Sequence, residues 1–139
     1  MSDNNAPASQ RQQLVAVSGW GRYFSTKSGG EVSADTSPVW DGGNLKPSVL
    51  AGPATTANIV VSRPYRPGLD AAVVKAWEKV VGRKRTTIWV RDTDPDLGPI
   101  GTPTVYADAL LVRVTRPDHD AASSDPGMIE LEFAVSGAA

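Results

Sequence analysis

The stretch MIELEFAV, residues 128–135, decides the fold. Ile129, Leu131, Phe133 and Val135 fall on one side of an extended chain, with Glu130, Glu132 and Ala134 on the other. This is the period-two alternation of a strand with one face in a core and one in water. Upstream, TVYADALLVRVT (104–115) reads as its partner, and the polar PDHDAASSDPG (117–127) between them as the wide turn of an antiparallel hairpin. TTIWVR (86–91) is another strand. In TTANIVVSRPY (55–65), Ala57, Ile59 and Val61 alternate with Asn58, Val60 and Ser62 until Pro64 ends the run. Leu14 to Val17 begins the first strand, and in GWGRYF (19–24) two glycines let the chain bend around Trp20.

Between Leu69 and Val81 the period changes. Leu69, Val73, Trp77 and Val80 form one stripe of a helix over about 69–81, with Asp70 as its cap, Gly82 as its stop and Trp77 in the core. Thirteen glycines and eleven prolines punctuate runs rich in Val, Ile and Thr, as in a mainly β protein. At 139 residues the chain is sized for one core, and roughly two thirds of its unfolded surface can be buried. The expected division is a flexible arm over 1–13 and a single β domain over 14–139.

One stretch does not fit this pattern. STKSGGEVSADTSPVWDGG (25–43), followed by NLKPSVLAGPATT (44–56), is too polar for a core strand and lacks helical period. Residues 25–53 are therefore expected to form a long connection with at most a short strand near Val39 and Trp40. Loops of that length are usually functional or disordered. Trp20 and Trp40 flank it, and a place in the core and a place in an interface both stay open for them.

Composition removes several function classes. There is no cysteine, which excludes disulfides and suits a reducing compartment. Fourteen Lys and Arg against fifteen Asp and Glu leave a net charge of −1, without general attraction to nucleic acid or anionic membrane. No apolar run approaches the ~20 residues that span a bilayer, and residues 1–13 carry no apolar signal core. His119, the only histidine, stands between Asp118 and Asp120 and reads as solvated, so a catalytic triad lacks parts. Asp92, Asp94 and Asp96 resemble the start of a calcium loop. Leu97 and Pro103 occupy the positions where that motif needs Gly and Glu, so a polar hairpin turn is expected instead. Arg83, Lys84 and Arg85 follow the helix, where cations favour the negative end of its dipole; intersubunit ion pairing is the other reading. No enzyme, metal or cofactor is expected.

The series GWGRYFSTKSGGEV, DGGNLKPSVLAGPATTANIVVSRPY, one helix and ALLVRVTRPDHDAASSDPGMIELEFAV resembles the major tail tube proteins of tailed bacteriophages, especially small ones of long-tailed phages infecting actinobacteria. The likeness spans about residues 14–135. It implies a two-sheet β-sandwich or barrel with one flanking helix, six copies closing into a ring, and rings stacking into a tube. Four lumen strands per copy give about twenty-four in all. At ~4.8 Å spacing and ~45° tilt they make a wall ~160 Å around and ~50 Å across, wide enough for duplex DNA.

The resemblance also gives the long loop a role. Lys27, Gly29, Gly30, Glu31, Asp35, Trp40 and Asp41 are then candidate contacts between subunits and rings, and excision of 27–37 is expected to leave a folded monomer that makes no tubes. Glu130 and Glu132 are candidates for the lumen face, which should not hold DNA. Implied partners are the chain itself, tape measure, terminator and baseplate or tip proteins, and passing viral DNA, without a membrane. The implied location is the virion tail, assembled in host cytoplasm. The inner tube of a contractile tail or injection system is the alternative within this fold; a monomeric β-sandwich binding module is the alternative outside it.

Overall fold

The computed structural model describes residues 7–9, 11–43 and 45–138. Its elements are β1 (Gln13–Val17), β2 (Thr26–Gly29), β3 (Val32–Val39), β4 (Ser48–Thr56), β5 (Ile59–Pro64), α1 (Pro67–Glu78), β6 (Arg85–Asp92), β7 (Thr104–Thr115) and β8 (Met128–Ala134). Six strands form one antiparallel sheet in the order β1-β6-β7-β8-β5-β2. The sheet curls until its two ends meet, where the Phe24 N–H donates to the Val15 carbonyl at 2.8 Å. The result is a mainly β fold, as composition and alternation lead one to expect, and its curled barrel-like sheet with one flanking helix is the architecture that the resemblance implies.

The concave face holds the core. Ile59, Val61, Ile88, Leu111, Ile129, Leu131 and Phe133 are completely buried. Trp77 projects from α1 onto Phe133 and Trp20, and Trp20 onto Phe24, in edge-to-face contacts of 5.5–6.3 Å. Trp20 therefore belongs to the core, while Trp40 is 64% exposed.

The helix differs from its expected position. It starts at Pro67, with Arg66 as an N-cap that makes no side-chain bond, and ends at Glu78. Proline suits that first position because its missing N–H would be unpaired there anyway. Asp70 is not the cap. It lies a turn inside, almost fully buried, and accepts the Arg66 N–H at 3.1 Å. The buried face is Asp70, Val74 and Trp77, whereas Leu69 is exposed. A hydrophobic stripe cannot find a face centred on a charge, so the sequence reading rotated the helix. Gly82, at positive φ, closes the turns that follow, and its N–H bonds the Leu111 carbonyl at 2.8 Å.

The larger correction concerns residues 25–53, which are not a structureless connection. They hold β2, which pairs with β5 in the curled sheet, and most of a separate antiparallel hairpin, β3–β4, with Thr36↔Ala51 and Val39↔Ser48 in register. Every residue of β3 is exposed. Alternation signals a strand only when one face enters a core, and neither face of this hairpin does. Pro38 and Pro53 mislead for a related reason: in a two-stranded ladder both strands are edges, where a missing N–H is tolerated. A bulge between Ala34 and Thr36 sits opposite Gly52, where a Cβ would lie 2.8 Å from the Asp35 carbonyl oxygen.

Two smaller points concern the ends of strands. β1 begins at Gln13, one residue inside the expected arm, and Gln12 exchanges backbone and side-chain bonds with Thr93 at 2.9 and 3.2 Å; residues 1–6 and 10 lie outside the described ones. The DTDPDLG segment is a polar turn in which Asp94 Oδ1 accepts the N–H groups of Asp96 and Gly98.

Candidate assembly surfaces

The β3–β4 hairpin leaves the curled sheet through a narrow neck. Gly29 and Gly30 both have left-handed φ, +85° and +81°, and a Cβ on Gly29 would meet the Asn58 carbonyl oxygen at 1.8 Å. Only glycine fits there. Beyond them, Gly30 N–H donates to Ala57 O (3.2 Å) and Ala57 N–H to Glu31 O (2.8 Å). Glu31 marks the base, Asp35 the bulge, and Trp40 and Asp41 the distal turn, all exposed. Lys27 and Gly29 belong to β2, and Lys27 lies in register with the buried Val61, so its side chain is on the concave side near the seam between β1 and β2.

Glu130 and Glu132 stand on the convex face of β8, opposite the buried Ile129, Leu131 and Phe133. Arg113 of β7 lies 3.7 Å from Glu130 and 3.1 Å from Glu132, and Asn58 donates to Glu132 at 3.1 Å. Thr26 and Ser62 are hydrogen-bonded on the same face. Sequence reading missed Arg113 because a bulge between Leu111 and Arg113 shifts the register of β7 at that point.

The basic triplet past α1 is engaged inside the chain. Arg83 donates to the Lys79 carbonyl (2.6 Å) and Arg85 to the Asp108 carbonyl (3.3 Å), while the Lys84 ammonium lies 5.6 Å from the Trp77 ring centre. The first of these is the helix-end interaction that the dipole favours.

Two further groups were not singled out from sequence. Arg63 points into the barrel, continuing the inward alternation of Ile59 and Val61. Its guanidinium lies 4.8 and 4.9 Å from the Trp20 and Phe24 ring centres and donates to Asp70 at 2.7 Å and to the Arg22 carbonyl at 3.0 Å. Burial lowers the pKa of Arg63, while Asp70 favours its charge. The second group is a shallow apolar hollow on the convex face of β1 and β6, lined by Leu14, Ala16, Tyr23, Trp89, Arg91 and Pro103.

No protein-family model and no curated protein matches the chain. Solved structures do match it. A chain in the structure of the anti-feeding prophage cap, which terminates its tube, superposes with a TM-score of 0.79 at 18% identity, covering 97% of this chain and 91% of that one. A chain of the sheath–tube complex of the PVC extracellular contractile injection system, in its extended state, gives 0.79 at 20% identity over 98% and 92%. Hcp1 from Flavobacterium johnsoniae gives 0.51 at 14% identity over 92% and 98%. The chain thus shares its fold, over nearly its whole length, with chains of the anti-feeding prophage cap and of the PVC sheath–tube complex.

Proposed function

We propose that the chain is the repeating structural subunit of a hollow tube, with residues 14–139 acting as one unit, six copies closing a ring and rings stacking through the β3–β4 hairpin. The observation that carries this reading is that hairpin. It exposes both faces, including Val32, Val39, Trp40, Val49 and Leu50, outside the core that its own chain builds. Apolar surface held out in this way gains by burial against another molecule. Lys27, Gly29 and Gly30 support the hairpin from the sheet, and Glu31, Asp35, Trp40 and Asp41 make the contacts.

The inner tube of a contractile tail or injection particle is the favoured setting, because the matching chains named above come from such particles. A long-tailed phage tube passing viral DNA is the second reading. In either, the convex face of β8 with its neighbours is assigned to the lumen. Glu130 and Glu132 there outnumber Arg113, two carboxylates to one guanidinium, so a polyanion slides past without the counterion release that would hold it. Terminator, baseplate and tape-measure proteins are the expected partners at the tube ends and within it.

Negative-stain microscopy of the purified chain tests the reading. Rings or hollow rods are expected at high concentration. A 14.6 kDa monomer at every concentration would sink it and favour a monomeric binding module.

A further inference from the structure

The convex face of β1 and β6 supplies what the hairpin lacks. Ala16, Trp89 and Val105 are register partners across β1, β6 and β7, so their side chains stand in one row, with Leu14 and Arg91 in the next pair along. Trp89 is 38% exposed and the adjoining Tyr23 59%, whereas the core-facing Trp20, Phe24, Trp77, Tyr106 and Phe133 are buried. Arg91 donates from Nη2 to the Gly101 carbonyl at 3.1 Å, and its buried Nε has no partner among the described residues. The positive charge of this guanidinium beside an exposed Trp and Tyr suits a ligand that carries both apolar and acidic side chains.

The hairpin has that chemistry. Over residues 31–56, Glu31, Asp35 and Asp41 face a single base, Lys46, and the exposed apolar residues lie among them. We propose, building on the tube reading, that the Trp89–Tyr23 face of one copy is the seat of the β3–β4 hairpin of a neighbouring copy. Each chain gives one surface and receives a different one. The contact is therefore heterologous, the kind that closes rings or propagates along an axis instead of stopping at a dimer.

The absence of cysteine makes the test clean. Gly42→Cys at the hairpin tip, where a side chain meets open space, and Thr87→Cys, two residues from Trp89 on β6, are prepared separately. The two are mixed before assembly and treated with a short bismaleimide. A covalent heterodimer from the mixture, without dimer from either variant alone, is expected; Gly42–Gly42 dimers, or no cross-link within formed rods, would overturn the seat. In parallel, Trp89→Glu should keep the far-ultraviolet circular dichroism of the parent and raise the assembly concentration at least roughly tenfold, as for an interface anchor. Rods from Trp89→Glu at the parent's concentration would end the assignment and leave the tube reading standing. If the parent chain forms neither rings nor rods, both fall together.

Discussion

The Arg63 guanidinium meets the Asp70 carboxylate at 2.7 Å, with only 4% and 2% of the two side chains exposed. Arg22 reaches both oxygens of the same carboxylate from the other side, at 2.7 and 2.9 Å. One acid thereby ties α1 to β5 and to the GWGRYF bend. Removing it leaves a buried guanidinium without its counter-ion. Asp70→Asn is expected to lower stability by about 3–5 kcal/mol at neutral pH, read by thermal or urea melting.

The same carboxylate sets an acid limit. Burial alone would raise its pKa, but hydrogen bonds from Arg22 and the Arg66 N–H, with the charge and hydrogen bond of Arg63, outweigh burial and hold it below the ordinary 3.8. A depressed folded pKa contributes stability in full above the unfolded value, and that contribution is lost as pH falls through the folded one. The stability gap between parent and Asp70→Asn should therefore be constant from neutral pH to about 4 and narrow below 3.8. A gap that stays constant to pH 2 would contradict this.

Gly29→Ala probes the neck. The added methyl would lie 1.8 Å from the Asn58 oxygen at a φ of +85°, so the backbone must shift. A loss of roughly 1–3 kcal/mol is expected, with loss of assembly at concentrations where the parent forms rods. Gly42→Ala, which meets open space, serves as the matched control and should change neither property.

Excision of 27–37 would cut into β2 and so damage the sheet. The cleaner variant joins Glu31 to Ala57 through a short Gly/Ser turn, replacing residues 32–56. Because the hairpin contributes nothing to the buried core, melting should stay within a few degrees of the parent while rods disappear. Rods of normal appearance would show that the hairpin is not the contact.

Glu78 and Arg116 provide a contrast to the buried pair. They are also joined by hydrogen bonds, and the Arg116 guanidinium holds the Glu78 carboxyl below its ordinary value. Both are on the surface, where water and salt screen the attraction. Glu78→Gln is expected to melt with the parent at physiological salt.

What the sequence made legible follows from where water is excluded. Ile129, Leu131 and Phe133 announce β8 because their face is sealed, and Ile59 and Val61 do the same for β5. Asp70 does not read as a core residue because its burial depends on two guanidinium groups, one from Arg22, 48 residues away, and one from Arg63 on the preceding strand, and no hydrophobic period signals either. β3 and β4 went unread because a ladder exposed on both faces has no apolar register to display. Among the candidate residues, Glu130 and Glu132 stand on the outer face as alternation requires. The Trp89–Tyr23 hollow needs β1, β6 and the bend after β1 side by side, an adjacency that strand order alone decides.

That strand order also governs how the chain comes into being. β1 pairs with β6, Gln13 opposite Asp92, so during synthesis the first strand must wait for nearly two thirds of the polypeptide to emerge before its ladder can form. The β3–β4 ladder needs only its own neighbours and can zip up early, on the ~1–10 μs scale of isolated hairpins, whereas the distant pairings close far more slowly. A nascent copy thus completes its hairpin well before its β1–β6 face, so the two surfaces of the proposed contact come into being on one chain at different times.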